Sequence, residues 1–321
     1  MRTAFIRSLV ELAKQDERIW LVCGDLGYSV LEEFATAFPK RFLNAGVAEQ
    51  NMTGIAAGLA LSGKIPFTYS IANFPVMRCF EQVRNDVCHH NLPVKIVAVG
   101  GGLSYGTAGY THYAVEDLAV MRALPHMTVV APGDPIETKL ATRAIAEHPG
   151  PCYLRLGKAG EPVVHQSDPP FRLGESILVR EGRHAAILCT GGALRMSVDA
   201  ANALSRDGYD VRVLSFPTVK PIDGVAILRA ARETHALFVV EEHHAIGGLS
   251  DAVARVLVEG EAAGSRVCFL TLDIEAMRGG GFVASQATLA GRFGLSADGI
   301  CRAVIEELKV TPVSKKLGLA R

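Results

Sequence analysis

Short apolar runs alternate with amphipathic stretches along the whole chain. MRTAFIRSLVELAK carries apolar residues at helical spacing; IWLVCG follows as an apolar run, then helical SVLEEFATAF, then RFLNAG. IPFTYS, VKIVAVG, MTVVAP and CYLRLG are further apolar runs separated by helical patterns. Unbroken apolarity is what a strand covered on both faces requires, so this order predicts an α/β domain with a mostly parallel sheet between helices. It spans residues 1–158. Residues 159–172, AGEPVVHQSDPPFR, contain three prolines and little periodicity and read as an extended linker. Beyond it, ESILVREG, HAAILCTGG, VRVLSFPTV, ALFVVEEH and RVCFLTLD alternate with helical patterns over 194–207, 224–233, 249–259 and 297–307. These predict a second α/β domain over 173–321, closed by the basic tail KVTPVSKKLGLAR, which reads as a loosely held terminus.

With 321 residues, 49% of them hydrophobic, the chain can bury two cores. Its 33 basic residues balance 33 acidic ones, so no overall field favours nucleic acid or an anionic membrane, and neither is expected as a partner. No apolar run approaches the roughly 18 residues of a membrane span, and the charged opening helix does not resemble a secretory signal. Seven cysteines, an odd number without a CxxC pair, predict buried free thiols and a cytoplasmic location rather than a disulfide frame or a zinc site.

The most informative segment is NAGVAEQN, residues 44–51, where a strand ends and a helix of small residues opens with Glu49 in its first turn. Glu49 could simply complement the positive end of the helix dipole. Ala56, Ala57, Gly58 and Ala60 would let another backbone approach this helix closely.

GVAEQN is followed by YSIANFPVMRCFEQVRNDV and then by GGGLSYGTAGYTHYAVEDLAVMRALPHMTVVAPGDP. In this order and spacing the segments resemble the pyrimidine-binding domain of the transketolase family, thiamine-diphosphate enzymes that move two-carbon ketol units. The resemblance continues through the C-terminal half and corresponds to about the second half of a full-length transketolase. It implies that Glu49 is the carboxyl at the pyrimidine nitrogen N1' of thiamine diphosphate. A carboxyl in an apolar cleft readily shares a proton with a weakly basic ring. Phe74 is implied as the stacking aromatic, with Met77 nearby; Ile71 stands where relatives often have a second aromatic. Asp25 and Leu26 in CGDLGYS match residues near the cofactor, although an aspartate there also suits a turn. His112 in GYTHYAVED is placed beside the reacting carbons, where an imidazole can exchange protons with a sugar hydroxyl. Arg2, Ser29 and Lys158 correspond to groups that hold a sugar phosphate, and surface solvation would account for each of them too. Two departures bear on substrate: Gly100 replaces a phosphate-contacting histidine, and Ala108 an aspartate that reads a donor hydroxyl.

Family members bind the diphosphate through a divalent metal held by Gly-Asp-Gly and a later asparagine. Gly24-Asp25-Leu26-Gly27 and Gly133-Asp134-Pro135 do not fit that pattern, and no metal ligand is assigned. The resemblance therefore implies a split transketolase, with Mg2+ or Ca2+ and the diphosphate held by a separate N-terminal subunit, in an A2B2 heterotetramer acting on small sugars or sugar phosphates. Alternatives are the beta subunit of a 2-oxo acid dehydrogenase, a deoxyxylulose phosphate synthase-like enzyme, or a catalytically silent scaffold. The segment EHHAIGG, 242–248, could cradle an anion, but helix capping accounts for it. His89, His90, His243 and His244 are given no metal.

Overall fold

The computed structural model describes residues 1–273 and 283–309; the basic tail read as loosely held falls outside them apart from its first residue, Lys309. The first sheet contains β1 (Ile19–Cys23), β2 (Phe42–Asn44), β3 (Ile65–Ile71), β4 (Lys95–Val99), β5 (Thr128–Val130) and β6 (Cys152–Leu156). The second contains β7 (Ile177–Arg180), β8 (Ala185–Cys189), β9 (Val211–Ser215), β11 (Leu237–His244) and β12 (Val267–Leu272), and β10 (Thr218–Lys220) lies between β9 and β11 in sequence. Strand order is β10-β5-β6-β4-β3-β1-β2 in the first sheet and β12-β11-β8-β9-β7 in the second. All pairings are parallel except β10 with β5 and β7 with β9. This is the mostly parallel α/β architecture that the apolar runs predict.

Every residue of β4 and β6 is buried, as helices on both faces demand. Helix α1 (Arg2–Gln15) packs with the helix Pro135–Glu147 on one face, over Phe67, Tyr69, Val97 and Leu154. On the other face α3 (Glu49–Leu61), which follows α2 (Glu32–Ala37), packs Ala56, Ala57 and Ala60 beside the wide helical turns of Phe74–Cys88. The close approach expected of α3 is made inside the chain by its alanines. A methyl group added to Gly54 or Gly58 would meet no atom within 4 Å.

Two features differ from the sequence pattern. VRVLSFPTV is not one strand: β9 ends at Ser215, and the chain crosses into the first sheet, where Thr218 pairs antiparallel with Val130. Pro217 has no N–H to continue a ladder, and its carbonyl accepts from Ala131 N at 2.8 Å. A short helix over Gln286–Arg292 also lies outside the helices that the pattern predicts.

Buried polar groups join the two layers. Arg155 Nε donates to Asp117 Oδ2 at 2.8 Å, and its Nη2 reaches the carbonyls of Ala114 and Glu242 at 2.7 and 3.0 Å. Tyr153 donates to the same Asp117 oxygen at 2.6 Å. Burial opposes the Arg155 charge, but Asp117, Tyr153 and Glu242 favour it enough to raise its pKa.

All seven cysteines are free, five of them buried, and Cys268 and Cys301 are half-buried. Among the described residues no helix is long and apolar enough to cross a membrane.

Candidate active site

Glu49 is held by the way β1 and β2 end side by side. Asn44, the last residue of β2, accepts from Gly46 N at 2.9 Å and Asp25 N at 3.1 Å, while its Nδ2 donates to Asp25 Oδ1 at 2.9 Å. This clamp fixes the loop that leads into α3 and holds Asp25 in the left-handed region, at φ 56°. The Glu49 side chain is only 3% exposed, and Arg78 Nη1 lies 3.2 Å from both of its oxygens. The same guanidinium sits over the Phe74 ring, 4.0 Å from its centroid. Phe74 in turn meets the His112 imidazole edge-on, with centroids 5.5 Å apart.

His112 belongs to a loop closed by an antiparallel bridge between Gly102 and Ala114. Its Nδ1 is 3.0 Å from Thr111 Oγ1, and the Thr111 carbonyl accepts from Asn73 Nδ2. Since Asn73 precedes Phe74, the histidine loop and the phenylalanine segment are tied together by one short link.

A second group gathers around Tyr105, whose ring centroid is 6.2 Å from that of His112 and 5.0 Å from Lys158 Nζ. Burial pushes the phenols of Tyr69 and Tyr105 up, and the nearby positive charge of Arg2 pulls both down. Arg2 Nε and the Tyr69 hydroxyl are buried without a well-formed hydrogen bond.

Of the residues singled out in the sequence, Glu49 and Phe74 thus come together through Arg78, His112 joins them at the Phe74 ring, and Lys158 lies near Tyr105, whose phenol also feels the charge of Arg2. Asp25 and Leu26 line a separate cleft of about 190 Å³ with Tyr28, Leu31 and Asn44. Ser29 lies in the turn before α2, its N–H bonded to Glu32 Oε1 at 2.8 Å, and Ile71 closes β3. Met77 is 45% exposed. Lys158 also lies on the rim of a cavity of about 310 Å³ between the two sheets, lined by Arg155, Arg195, Glu242 and Gln286.

Sequence reasoning misses Arg78 and Tyr105. The four-residue step from Phe74 to Arg78, one helical turn, is the available signal for the first. The helix after EHHAIGG is capped from outside that segment: Glu241, one residue before it, accepts from Leu249 N and Ser250 N at 2.7 and 2.8 Å. His89 and His90 are exposed, and His243 is buried with Nδ1 2.7 Å from the His244 carbonyl. Among the described residues no group of three or more His, Cys, Asp and Glu converges as metal ligands would.

The model for "Transketolase, pyrimidine binding domain" matches residues 1–160, and that for "Transketolase, C-terminal domain" residues 174–300. The chain belongs to the transketolase family. It is 36% identical over 310 residues to a subunit of the apulose-4-phosphate transketolase of Phocaeicola vulgatus, covering 96% of this chain and 97% of that one. A 1-deoxy-D-xylulose-5-phosphate synthase of Pelotomaculum thermopropionicum is 33% identical over 318 residues, 98% of this chain but 49% of its own length. Among solved structures, one described as a split gene transketolase, inactive beta4 tetramer, superposes with a TM-score of 0.85 at 37% identity, covering 97% of this chain and 98% of that one.

Proposed function

We propose that this chain is the C-terminal subunit of a split, thiamine-diphosphate-dependent transketolase that transfers a two-carbon ketol unit from a ketose or ketose phosphate to an aldose. The carrying observation is that a buried carboxylate, an aromatic ring and an imidazole, those of Glu49, Phe74 and His112, stand in one connected group. That donor set suits an aminopyrimidine: an acid for a ring nitrogen and a flat apolar surface for the ring. Arg78 covers both, so a bound pyrimidine would have to take the place of its guanidinium. The coenzyme, when bound, supplies a carbon that bonds the ketol unit.

Glu49 Oε holds the proton shared with the pyrimidine, and the 3% exposure of its side chain keeps bulk water from competing for it. Phe74 would pack against the ring. His112 moves a proton to or from a sugar hydroxyl through Nε2, its Nδ1 being engaged by Thr111. Asp25 and Leu26, in their own cleft, and Ile71 would border the coenzyme, and Arg2, Ser29 and Lys158 would receive the far end of the sugar. Residues 1–158 and 173–321 are read as the two domains of this subunit, joined by 159–172.

The diphosphate and its Mg2+ or Ca2+ belong to an N-terminal partner subunit in an A2B2 assembly. The family and the split relatives support this reading, and so does the uncovered face of α3 at Gly54 and Gly58. Mixing this chain with such a subunit, thiamine diphosphate and Mg2+ should give ketol transfer that Glu49→Ala lowers by roughly 10³-fold or more with the assembly intact. Absence of transfer to every aldose tested, or an unimpaired Glu49→Ala enzyme, would overturn it. The similarity to a deoxyxylulose phosphate synthase supports a second reading. Turnover with pyruvate in place of a ketose would select that one.

A further inference from the structure

Two rings flank the His112 imidazole, Phe74 edge-on with centroids 5.5 Å apart and Tyr105 tilted at 6.2 Å. Such neighbours fix the plane of an imidazole, but they do not distinguish its two flips about the Cβ–Cγ bond, which exchange Nδ1 with Cδ2 and Nε2 with Cε1. The contact that does so is polar: Thr111 Oγ1 lies 3.0 Å from Nδ1. Thr111 is in turn held by Asn73, whose Nδ2 donates to the Thr111 carbonyl. This grip strands another atom. Among the described residues Asn73 Oδ1 is buried and accepts no hydrogen bond. Turning the amide over would set its oxygen against the Thr111 carbonyl, which can only accept, so the stranded oxygen and the bond to Thr111 come together. An apolar side chain of similar size would avoid the stranded oxygen, so packing alone does not account for an asparagine at position 73.

We propose that Thr111 and Asn73 are positioning residues for His112: the Thr111 hydroxyl donates to Nδ1 and keeps the ring proton on Nε2, and Asn73 fastens Thr111 to the segment that carries Phe74. The inference rests on the transketolase reading above and adds to it the residues that prepare the imidazole. The direction of the bond follows from the two atoms, since the lone pair of an imidazole nitrogen is a stronger acceptor than a hydroxyl oxygen. In a neutral imidazole the nitrogen that accepts leaves the other as the donor. Nε2 therefore meets a sugar oxygen as an N–H, able to hand its proton over and take it back. Asn73 precedes Phe74 directly, so one side chain sets both the flip of the imidazole and its spacing from the aromatic wall.

The first readout is nuclear magnetic resonance of the full chain carrying isotopically labelled histidine. Long-range proton–nitrogen spectra at about pH 8, where ordinary imidazoles are neutral, should show His112, identified by its loss in His112→Gln, with its proton on Nε2. Thr111→Val, which replaces the hydroxyl by a methyl group, and Asn73→Leu should both move it toward a mixture of tautomers, and Thr111→Ser should retain the wild-type pattern. The second readout uses the reconstituted two-subunit enzyme with hydroxypyruvate as donor and D-glyceraldehyde as acceptor. Thr111→Val and Asn73→Leu should lower kcat by roughly 10-fold with little change in KM, Thr111→Ser should recover most of it, and neither loss should add to that of His112→Gln. A wild-type His112 protonated at Nδ1, spectra that neither substitution alters, or losses that add in full to that of His112→Gln would overturn the inference while leaving ketol transfer standing. No turnover by wild type would instead overturn the underlying reading, and the spectra would still decide the placement of the proton.

Discussion

Arg78 Nη1 stands 3.2 Å from both carboxylate oxygens of Glu49, one partner half-exposed and the other almost wholly enclosed. The pair is lopsided, since water can replace Glu49 as a partner for Arg78 but cannot easily reach Glu49. Arg78→Met should keep the stem packing on Phe74 and leave the carboxylate unpaired, destabilising the isolated subunit by about 1 kcal/mol, screening by solvent at Arg78 included. Urea midpoints would measure it. In a Glu49→Gln background the same change should have almost no effect, which a double-mutant cycle would read as coupling.

Asp117 is the fulcrum of the buried group that spans the two layers. It is fully buried, and Arg155 beside it is 5% exposed. Asp117→Ala strands a buried guanidinium and the Tyr153 hydroxyl together, and should cost about 3–5 kcal/mol. Asp117→Asn, which keeps an acceptor for Tyr153, should cost less. Equilibrium unfolding of both variants beside wild type would check the order.

The linker is more firmly attached than its prolines suggest. Val164 N and His165 N donate to Asp134 Oδ2 at 2.9 and 3.0 Å, and His165 Nε2 lies 2.8 Å from Glu137 Oε1. Burial lowers the His165 pKa, but the hydrogen bond and charge of Glu137 outweigh it and the net shift is upward from 6.5. A raised folded value stabilises below the unfolded pKa and ceases to as pH rises through the folded one. Thermal unfolding between about pH 6 and about pH 8.5 should therefore show a loss of stability toward alkaline pH that His165→Gln lacks. A matching slope in the variant would refute the assignment.

The parallel sheets were legible because a strand covered on both faces writes an unbroken apolar run, as KIVAV and CYLRL do. Glu49, Phe74 and His112 could be singled out because each sits in a segment with its own pattern, and the fold sets the three in one connected group. Arg78 was not, since an arginine on a helical stretch ordinarily reads as a solvated surface group. Tyr105 was hidden differently: its position follows from the missing side chain of Gly100 and the backbone twist there. The crossing of Thr218–Lys220 was invisible because apolar periodicity announces a strand but not which sheet receives it.

That crossing limits how far the chain is modular. Thr218–Lys220 works as a tongue, grown from one half and slotted beside Thr128–Val130 of the other. Severing the halves at the linker would leave one without its rim and the other with an orphaned tongue. Any graft between relatives must therefore carry both sides of that slot together.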